Sequence, residues 1–364
     1  MMGITMQVYK LARSLISGAG LRAISGAFMV ATMGAPAQAA TPDPLFASDA
    51  PLAITLTGPF KAIDKSRDKD AEYAGGMLRY QGPDGEVSID ANYAPRGNFR
   101  LDKRTCTHAQ LWLDLKKKQT RDTLFANQNK LKLVLQCRDS KRYASYLRKE
   151  YDAYRMLNLL TDNSFRVRWV EVTYQDESGK TLRTQPAFFI EHKKRLANRL
   201  SLNTVDEDRI RPSQLEPSQA TTVALFNYFV GNADFSIIAG REGSCCHNAK
   251  LLQADNDSPY LPFIYDFDSS GYVNAPYATT PANLDLRSVR QRIYRGFCAE
   301  DAVMDEALDL FRSHQEALLA IAGDTQILSK REAKKAVAYL ADFFDIIDNP
   351  KKLNRQIIED CRPW

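Results

Sequence analysis

Residues 130–160 read KLKLVLQCRDSKRYASYLRKEYDAYRMLNLL, and within them the spacing of apolar residues changes from every second residue to every third or fourth. The alternating part predicts a strand over Lys130–Cys137. One face of that strand carries Leu131, Leu133, Leu135 and Cys137, and the other carries Lys130, Lys132, Val134 and Gln136. Ser140 is a suitable N-cap, and the stripe that follows predicts a helix to Leu160. The apolar stripe consists of Tyr143, Leu147, Tyr154 and Leu157.

The sequence on both sides extends this pattern. Strand-like runs and turn signals alternate from Leu52 onwards, and two more strands are predicted after the helix. These strands are Phe165–Tyr174 and Thr184–Glu191, and the later helices are about Pro217–Val230, Ala302–Ala322, Ser329–Asp345 and Lys351–Asp360. We predict an α+β protein with an extended lead-in at 40–60. A β-rich part at 61–192 contains the helix at about 141–160, and a helical part at 193–364 contains a loop-rich segment at 231–296.

The first 39 residues have the features of a cleavable secretory signal peptide. They contain no acidic residue and three basic ones, then the short apolar run Ala23–Met33 and the small-x-small pattern Ala37-Gln38-Ala39. A membrane anchor is the rival interpretation, but spanning a bilayer takes about 20 apolar residues. We expect cleavage after Ala39, no transmembrane anchor in the mature chain, and a periplasmic or secreted location.

Charge gives no indication of nucleic-acid binding. The chain has 49 Lys and Arg residues against 44 Asp and Glu, and three of the basic residues belong to the predicted signal peptide. The mature chain is therefore close to neutral, and no basic stripe with interleaved aromatic residues is visible along the sequence.

The six cysteines all follow the predicted cleavage site, and an even number in an exported chain favours disulfides. Cys106 and Cys137 flank strand-like segments and form the first predicted pair. Cys245 or Cys246 with Cys298 is the second. A zinc site is the weaker alternative, because the spacing lacks a Cys-x-x-Cys motif and only His247 is near.

Glu150 lies within the apolar stripe of the predicted helix, where a carboxylate requires a partner. One interpretation is an ion pair with Lys132 on the preceding strand. The other is a tilted helix that leaves Glu150 at the edge of its stripe.

The loop-rich segment carries three further groups of polar residues. Asp234 follows a helix end at Gly231-Asn232, His247-Asn248 precedes a short apolar strand, and Asp266-Phe267-Asp268 ends another. Two carboxylates at a strand end suit a hard cation such as Mg²⁺. The alternative interpretations are a helix stop for Gly231–Asp234, a turn for His247-Asn248 and a solvated turn for Asp266–Asp268.

The order of these parts resembles that of protein-kinase-like phosphotransferases, and in particular of the spore-coat-protein-H-like (CotH-like) atypical kinases and related exported bacterial proteins. The segments that resemble that family are Arg96-Gly97-Asn98, Leu147–Tyr154, Asn232-Ala233-Asp234, His247-Asn248 and Asp266-Phe267-Asp268. The resemblance implies a protein-kinase-like two-lobe fold, with a β-rich N-terminal lobe and a mainly helical C-terminal lobe that meet near Glu191–Lys193.

The resemblance also implies an activity, the transfer of phosphate from ATP with Mg²⁺ or Mn²⁺ to a hydroxyl acceptor. In that interpretation Lys132 contacts the phosphates, Glu150 positions Lys132, and Asp234 orients the acceptor hydroxyl. The residues expected to bind the cofactor and metal are His247, Asn248, Asp266 and Asp268. The expected partners are a nucleotide and a hydroxyl-bearing acceptor or envelope component.

A second hypothesis is an inactive kinase-fold protein that binds an envelope component. The sequence has no Gly-x-Gly-x-x-Gly loop to cover phosphates, and Asp234 and Asn248 are 14 residues apart, farther than in ordinary kinases. ATP is also expected to be scarce outside the cytoplasm.

Overall fold

Seven strands between Leu52 and Ile190 form a closed barrel in the computed structural model, which describes residues 43–240 and 245–364. The strands are β1 (Leu52–Thr57), β2 (Ala74–Gly82), β3 (Gly85–Arg96), β4 (Gln110–Leu115), β5 (Lys130–Leu135), β6 (Val167–Gln175) and β7 (Thr181–Ile190). Their order around the barrel is β1-β2-β3-β4-β5-β7-β6. The predicted signal peptide and its cleavage site lie outside the described residues.

A small second sheet and a helical region complete the described structure. The sheet is antiparallel, in the order β10-β9-β8, and consists of β8 (Asn203–Thr204), β9 (Ala249–Gln253) and β10 (Leu261–Ile264). The helices are α1 (Phe60–Ser66), α2 (Lys117–Thr120), α3 (Lys141–Leu160), α4 (Lys193–Arg199), α5 (Pro217–Val230), α6 (Asp301–Ser313), α7 (Gln315–Ala322), α8 (Lys330–Ile347) and α9 (Pro350–Leu353). A π-helical turn, Asn354–Ile358, follows α9.

Alternation along the strands separates the barrel interior from its outer surface. The three leucines of β5 are buried inside the barrel, which confirms that they share one face of the strand. Val134 on the opposite face belongs to a second apolar core, which also contains Phe188 of β7 and Tyr154 of α3. The rings of Tyr154 and Phe188 are 5.8 Å apart. The barrel wall therefore has apolar cores on both sides, and α3 lies against the outer one.

The predicted protein-kinase-like two-lobe fold is wrong. Strand β1, which lies in the stretch expected to be an extended lead-in, pairs antiparallel with β2 and also parallel with β6. These two pairings close the sheet into a barrel, whereas the prediction was a β-rich lobe followed by a helical one. The described residues belong to one compact unit, Ala40–Trp364. The predicted boundary near Glu191–Lys193 falls where β7 gives way to α4, and it remains a prediction.

Helix positions agree well with the apolar spacing. The Oγ of Ser140 accepts a hydrogen bond from the amide of Tyr143 at 3.3 Å, which confirms the predicted N-cap of α3. Helix α5 has the predicted bounds, whereas the long helix expected after Ala302 is divided into α6 and α7 at His314. Within the described residues, none of the helices combines the length and the apolar character needed to cross a membrane.

All six cysteines are described, and they form three disulfides, as expected in an oxidising compartment. The predicted pair Cys106–Cys137 is confirmed. The predicted pairing of Cys298 with Cys245 or Cys246 is wrong, because Cys245 bonds Cys246 and Cys298 bonds Cys361. The C-terminal segment runs beside Cys298, whose amide donates to the carbonyl of Arg362 at 2.8 Å.

Shortening Leu133 to alanine should lower the free energy of unfolding by about 2–5 kcal/mol. Leu133 is fully buried in the barrel, and the missing side chain leaves a cavity there. Urea denaturation followed by circular dichroism measures the loss. Leu159→Ala on α3 is the matched control, since Leu159 is 37% exposed, and it should cost less than about 1 kcal/mol. Equal losses in the two variants would contradict the assignment of Leu133 to the barrel core.

Candidate functional site

The open end of the β9–β10 hairpin places Asn248 beside Asp266. Ala249 pairs with Ile264, and just beyond that pair the amide of Tyr265 donates to the carbonyl of Asn248 at 3.0 Å. Both Asn248 (φ 50°) and Asp266 (φ 68°) have left-handed backbone conformations, which Asn and Asp tolerate better than most residues. The two residues therefore follow directly from the paired ends of β9 and β10, at the same end of the hairpin.

Asp234 lies next to the same end of the hairpin. Helix α5 ends at Gly231, which adopts the left-handed conformation of a helix C-cap. The amide of Asp234 then donates to the Oδ1 of Asn232 at 3.1 Å, which fixes the loop. This position past a rigid helix agrees with the sequence prediction.

His247 and Asn248 both contact Asp234, and we call these three residues the Asp234 cluster. The Nε2 of His247 is 2.7 Å from one carboxylate oxygen, and the Nδ2 of Asn248 donates to the other at 3.2 Å and to the backbone carbonyl at 2.7 Å. The hydrogen bond with His247 lowers the pKa of Asp234, against the opposing effect of burial. Asp234 is 36% exposed and is therefore an accessible, ionised carboxylate.

Arg100 holds three carboxylates, which with it form the acidic cluster. Its Nη2 is 2.8 Å from Glu150, 2.7 Å from Asp268 and 3.7 Å from Asp266. Glu150 and Asp268 are 3% and 11% exposed, whereas Asp266 is 45% exposed. The acidic cluster therefore has two carboxylates tied to arginine and one that is accessible from solvent.

The predicted ion pair between Lys132 and Glu150 is wrong, because Arg100 is the partner of Glu150. Strand β3 ends at Arg96, and Gly97 turns the chain with a φ of 96° that suits glycine. The short 3₁₀ turn that follows, Phe99–Leu101, carries Arg100 to α3.

Lys132 lies instead among aromatic rings and other cations. Its Nζ is 4.6 Å from the ring centre of Tyr265 and 5.7 Å from that of Trp112. Burial and the nearby guanidinium of Arg96 lower the pKa of Lys132 to about 7, although Asp266 acts in the opposite direction. The charge of Asp266 therefore acts on Lys132, and Tyr265, which Lys132 contacts, directly precedes Asp266 in the chain. We therefore treat Lys132 and Asp266 as parts of one site.

The pKa values of Glu150 and Asp266 are both raised in the acidic cluster. Burial raises the pKa of Glu150 to about 8, with the neighbouring Asp268 and Asp266 adding to the increase and Arg100 opposing it. Asp266 is 45% exposed, and the burial of the rest of its side chain, together with the charge of Asp268, also raises its pKa, while Arg100 opposes the increase. At pH values between about 4.5 and about 8, Glu150 therefore binds a proton more strongly in the folded protein than in the unfolded chain.

The donor set near Asp266 is small. The described residues contain no group of three or more His, Cys, Asp or Glu side chains that could hold a metal ion. Asp268, which was expected to be a metal ligand, forms an ion pair with Arg100. His247, which was expected to contact a cofactor, is hydrogen-bonded to Asp234. Of the expected ligands, Asp266 and the amide oxygen of Asn248 are left outside these contacts with Arg100 and Asp234. Mg²⁺ typically takes one or two carboxylates and completes its shell with water and phosphate oxygens.

Two residues of this site were missed by sequence reasoning. Arg100 is one, although the convergence of several predicted carboxylates required a cation, and Arg100 follows directly after the Arg-Gly-Asn turn. Tyr154 is the other, since its hydroxyl accepts a hydrogen bond from the amide of Asp266 at 2.8 Å. Its place in an apolar stripe gave no sign of a polar role.

Comparison with known proteins does not assign a family. No family model matches the sequence, and no match was found among the curated proteins. The functional argument therefore depends on the two clusters and on Lys132.

The substitution Glu150→Gln should reduce the loss of stability that occurs when the pH rises from about 5 to about 8. The folded-state pKa of Glu150 is about 8, above its ordinary 4.5. The folded protein therefore binds more protons than the unfolded chain across this interval, and the contribution of Glu150 to stability falls as the pH rises. In urea titrations at both pH values, the wild type should lose at least about 1 kcal/mol more than the variant.

The control for this experiment is Glu306→Gln, at an exposed position on α6. It should retain the pH dependence of the wild type. If Glu150→Gln also retained it in full, the proton held by the acidic cluster would have to belong to another group.

Proposed function

We propose that this protein binds ATP with Mg²⁺ or Mn²⁺ where Lys132, Asn248 and Asp266 come together, and transfers a phosphoryl group to a hydroxyl acceptor. The observation that carries the proposal is the 45% exposed carboxylate of Asp266, positioned beside Asn248 and within electrostatic reach of Lys132. A cation and an accessible carboxylate in one site match the needs of a metal-bound phosphate. The proposal concerns the site and makes no use of a kinase fold.

The cationic side of the site suits the phosphates. Burial and the neighbouring cation Arg96 both disfavour the charged form of Lys132, which is why its pKa is low. An anionic ligand next to Lys132 would offset this cost and raise its pKa again. In the proposed reaction Lys132 binds phosphate oxygens, while Glu150, held by Arg100, acts through the acidic cluster and does not position Lys132 directly.

The acidic side suits a divalent cation. Asp266 and Asn248 would hold the ion, and the ion would supply charge neutralisation to the phosphates. Arg100 restrains Asp268 and Glu150, and Tyr154 binds the backbone of Asp266. These contacts fix the position of Asp266 in advance, which is the property that electrostatic catalysis requires.

Asp234 suits the acceptor hydroxyl. It stays ionised through its hydrogen bond with His247, and its exposed part can accept a hydrogen bond from a hydroxyl group. Its low pKa makes it a weak base, so its main contribution would be to orient the hydroxyl.

The order Lys132, Glu150, Asp234, Asn248, Asp266 is the part of the sequence that resembles the CotH-like kinases, and membership of that family remains a prediction. The alternative function, binding without catalysis, is favoured by one observation. Arg100 engages both Glu150 and Asp268, which leaves Asp266 as the one accessible carboxylate of the acidic cluster.

The variant Asp266→Ala should lose binding of the metal–nucleotide complex while keeping its fold. With ATP and Mg²⁺ at 100 times the dissociation constant, the wild type should gain about 2.7 kcal/mol of stability. The variant should gain none, because the carboxylate that would hold the ion is missing. Thermal unfolding with and without ATP, repeated with Mn²⁺, provides the measurement.

Asp257→Ala is the matched control, since Asp257 is exposed at the other end of the same hairpin. It should respond to ATP and Mg²⁺ like the wild type. A full response from Asp266→Ala would refute the assignment, and the absence of any response in the wild type would refute the nucleotide proposal as a whole.

Asp234→Asn should separate binding from transfer. The metal–nucleotide complex should still stabilise this variant, because Asp234 lies on the acceptor side. The rate of ADP formation, with water as the acceptor, should fall by about 10²-fold, the size of loss that follows when a reacting group is no longer oriented. Asp257→Asn should leave both properties unchanged. A normal rate in Asp234→Asn would remove Asp234 from the mechanism, and a wild type that binds ATP without any turnover would favour the binding function.

A further inference from the structure

Six basic residues from four separate parts of the chain meet around Lys132, and we call them the basic patch. They are Arg96, Lys130, Lys132, Lys193, Lys194 and Lys250. No basic stripe is visible in the linear sequence because these residues are far apart there. The fold assembles one from the end of β3, from β5, from the start of α4 and from β9.

Strand pairing and ring contacts show that the members are neighbours. Lys132 pairs with Ile190 at the end of β7, and the chain continues from there into His192 and α4. The ring of Trp112 is 6.3 Å from that of His192, and it also has Arg96 at 5.8 Å and Lys132 at 5.7 Å.

Tyr265 joins the hairpin to the same surface. Its ring centre is 4.6 Å from the Nζ of Lys132 and 5.9 Å from that of Lys250. Lys130 lies at the edge of the patch, 5.5 Å from the ring centre of Tyr73. The basic patch is therefore continuous from Lys130 to Lys250.

Acidic residues lie farther from these cations than ion-pair distance, although Asp266 acts on Lys132 and Arg96, and Asp206 acts on Lys250. Among residues 43–240 and 245–364, the ion pairs within 4.0 Å include none of the six. Their effect on His192 agrees with this, because burial together with Lys132, Lys194, Lys193 and Lys130 lowers its pKa to about 4. Unpaired charges of one sign on a partly buried surface repel each other and favour an anionic partner.

We propose that the basic patch binds a linear chain of phosphates, that is, inorganic polyphosphate. Lysine ammonium groups are compact point charges that suit phosphate oxygens. The patch continues from Lys132 to Lys130 and Lys194, and so offers more positive charge than the residues assigned to the metal-bound nucleotide. The polyphosphate site shares Lys132 with the proposed nucleotide site, and it rests on the proposed function in that respect alone, because binding requires no catalysis.

The aromatic residues of the patch distinguish this ligand from a single-stranded nucleic acid. A protein that binds single strands stacks bases on free aromatic faces. Here cations of the basic patch lie over the rings of Trp112 and Tyr265, between 4.6 and 5.9 Å from their centres. A base could stack on these ring faces only by displacing the cations, so the patch favours a ligand that offers charge alone.

The test uses a triple variant, Lys130→Gln/Lys193→Gln/Lys194→Gln, which leaves every residue assigned to nucleotide binding in place. In calorimetric titrations with short-chain inorganic polyphosphate and no added metal, the triple variant should bind at least tenfold more weakly than the wild type, a difference of about 1.4 kcal/mol. The control is Lys330→Gln/Lys334→Gln/Lys335→Gln, an equal change of charge at exposed positions on α8. It should bind like the wild type, and thermal unfolding checks that both variants fold.

Three results would overturn the proposal. They are equal weakening in the two triple variants, equal affinity of the wild type for polyglutamate of matched charge, and tighter binding of a single-stranded oligonucleotide. The stabilisation by ATP and Mg²⁺ is measured on the same samples. If it is absent while polyphosphate binding depends on the patch, the nucleotide function fails and the polyphosphate site stands. The reverse pattern refutes the polyphosphate site alone.

Discussion

The contact of Arg100 with three carboxylates is the interaction on which the candidate site depends. It joins the turn after β3 to Glu150 on α3 and to the segment that follows β10. These elements have no strand pairing with one another. The ion pairs of Arg100 act there together with apolar packing, since the ring centres of Tyr154 on α3 and Phe267 after β10 are 4.8 Å apart. A buried cluster of this kind is costly to form and more costly to leave half-formed, which restricts it to one arrangement.

Local features of the fold could be read from the sequence, and the reason is that they depend on neighbouring residues. The alternation in β5, the cap at Ser140 and the bounds of α5 each follow from residues within a few positions. Closure of the barrel could not be predicted, because Leu52 finds its parallel partner, Val170, more than a hundred residues later. The disulfides divide in the same way. The flanking positions of Cys106 and Cys137 indicated their pairing, whereas the partner of Cys298 is set by the path of the C-terminal segment.

The candidate site shows the same division. The sequence indicated Asp234, Asn248 and Asp266 as candidate site residues because each lies next to the end of a helix or strand. The structure places them at one end of the β9–β10 hairpin. The sequence did not identify Arg100, whose importance comes from residues that converge on it in space. Polar residues at element ends are visible locally. The choice between Lys132 and Arg100 as the partner of Glu150 depends on the turn at Gly97, which brings Arg100 to α3.

The pairing of β1 with both β2 and β6 has a consequence for how the chain acquires its structure. The first strand of the barrel has one partner nearby and another that emerges only after most of the barrel has been synthesised. Closing so long a loop costs chain entropy, and proteins rich in such non-local pairings fold slowly. The barrel cannot close until β7, which joins β5 to β6, is also available. The edges of its early strands therefore stay unpaired until all seven strands have left the ribosome.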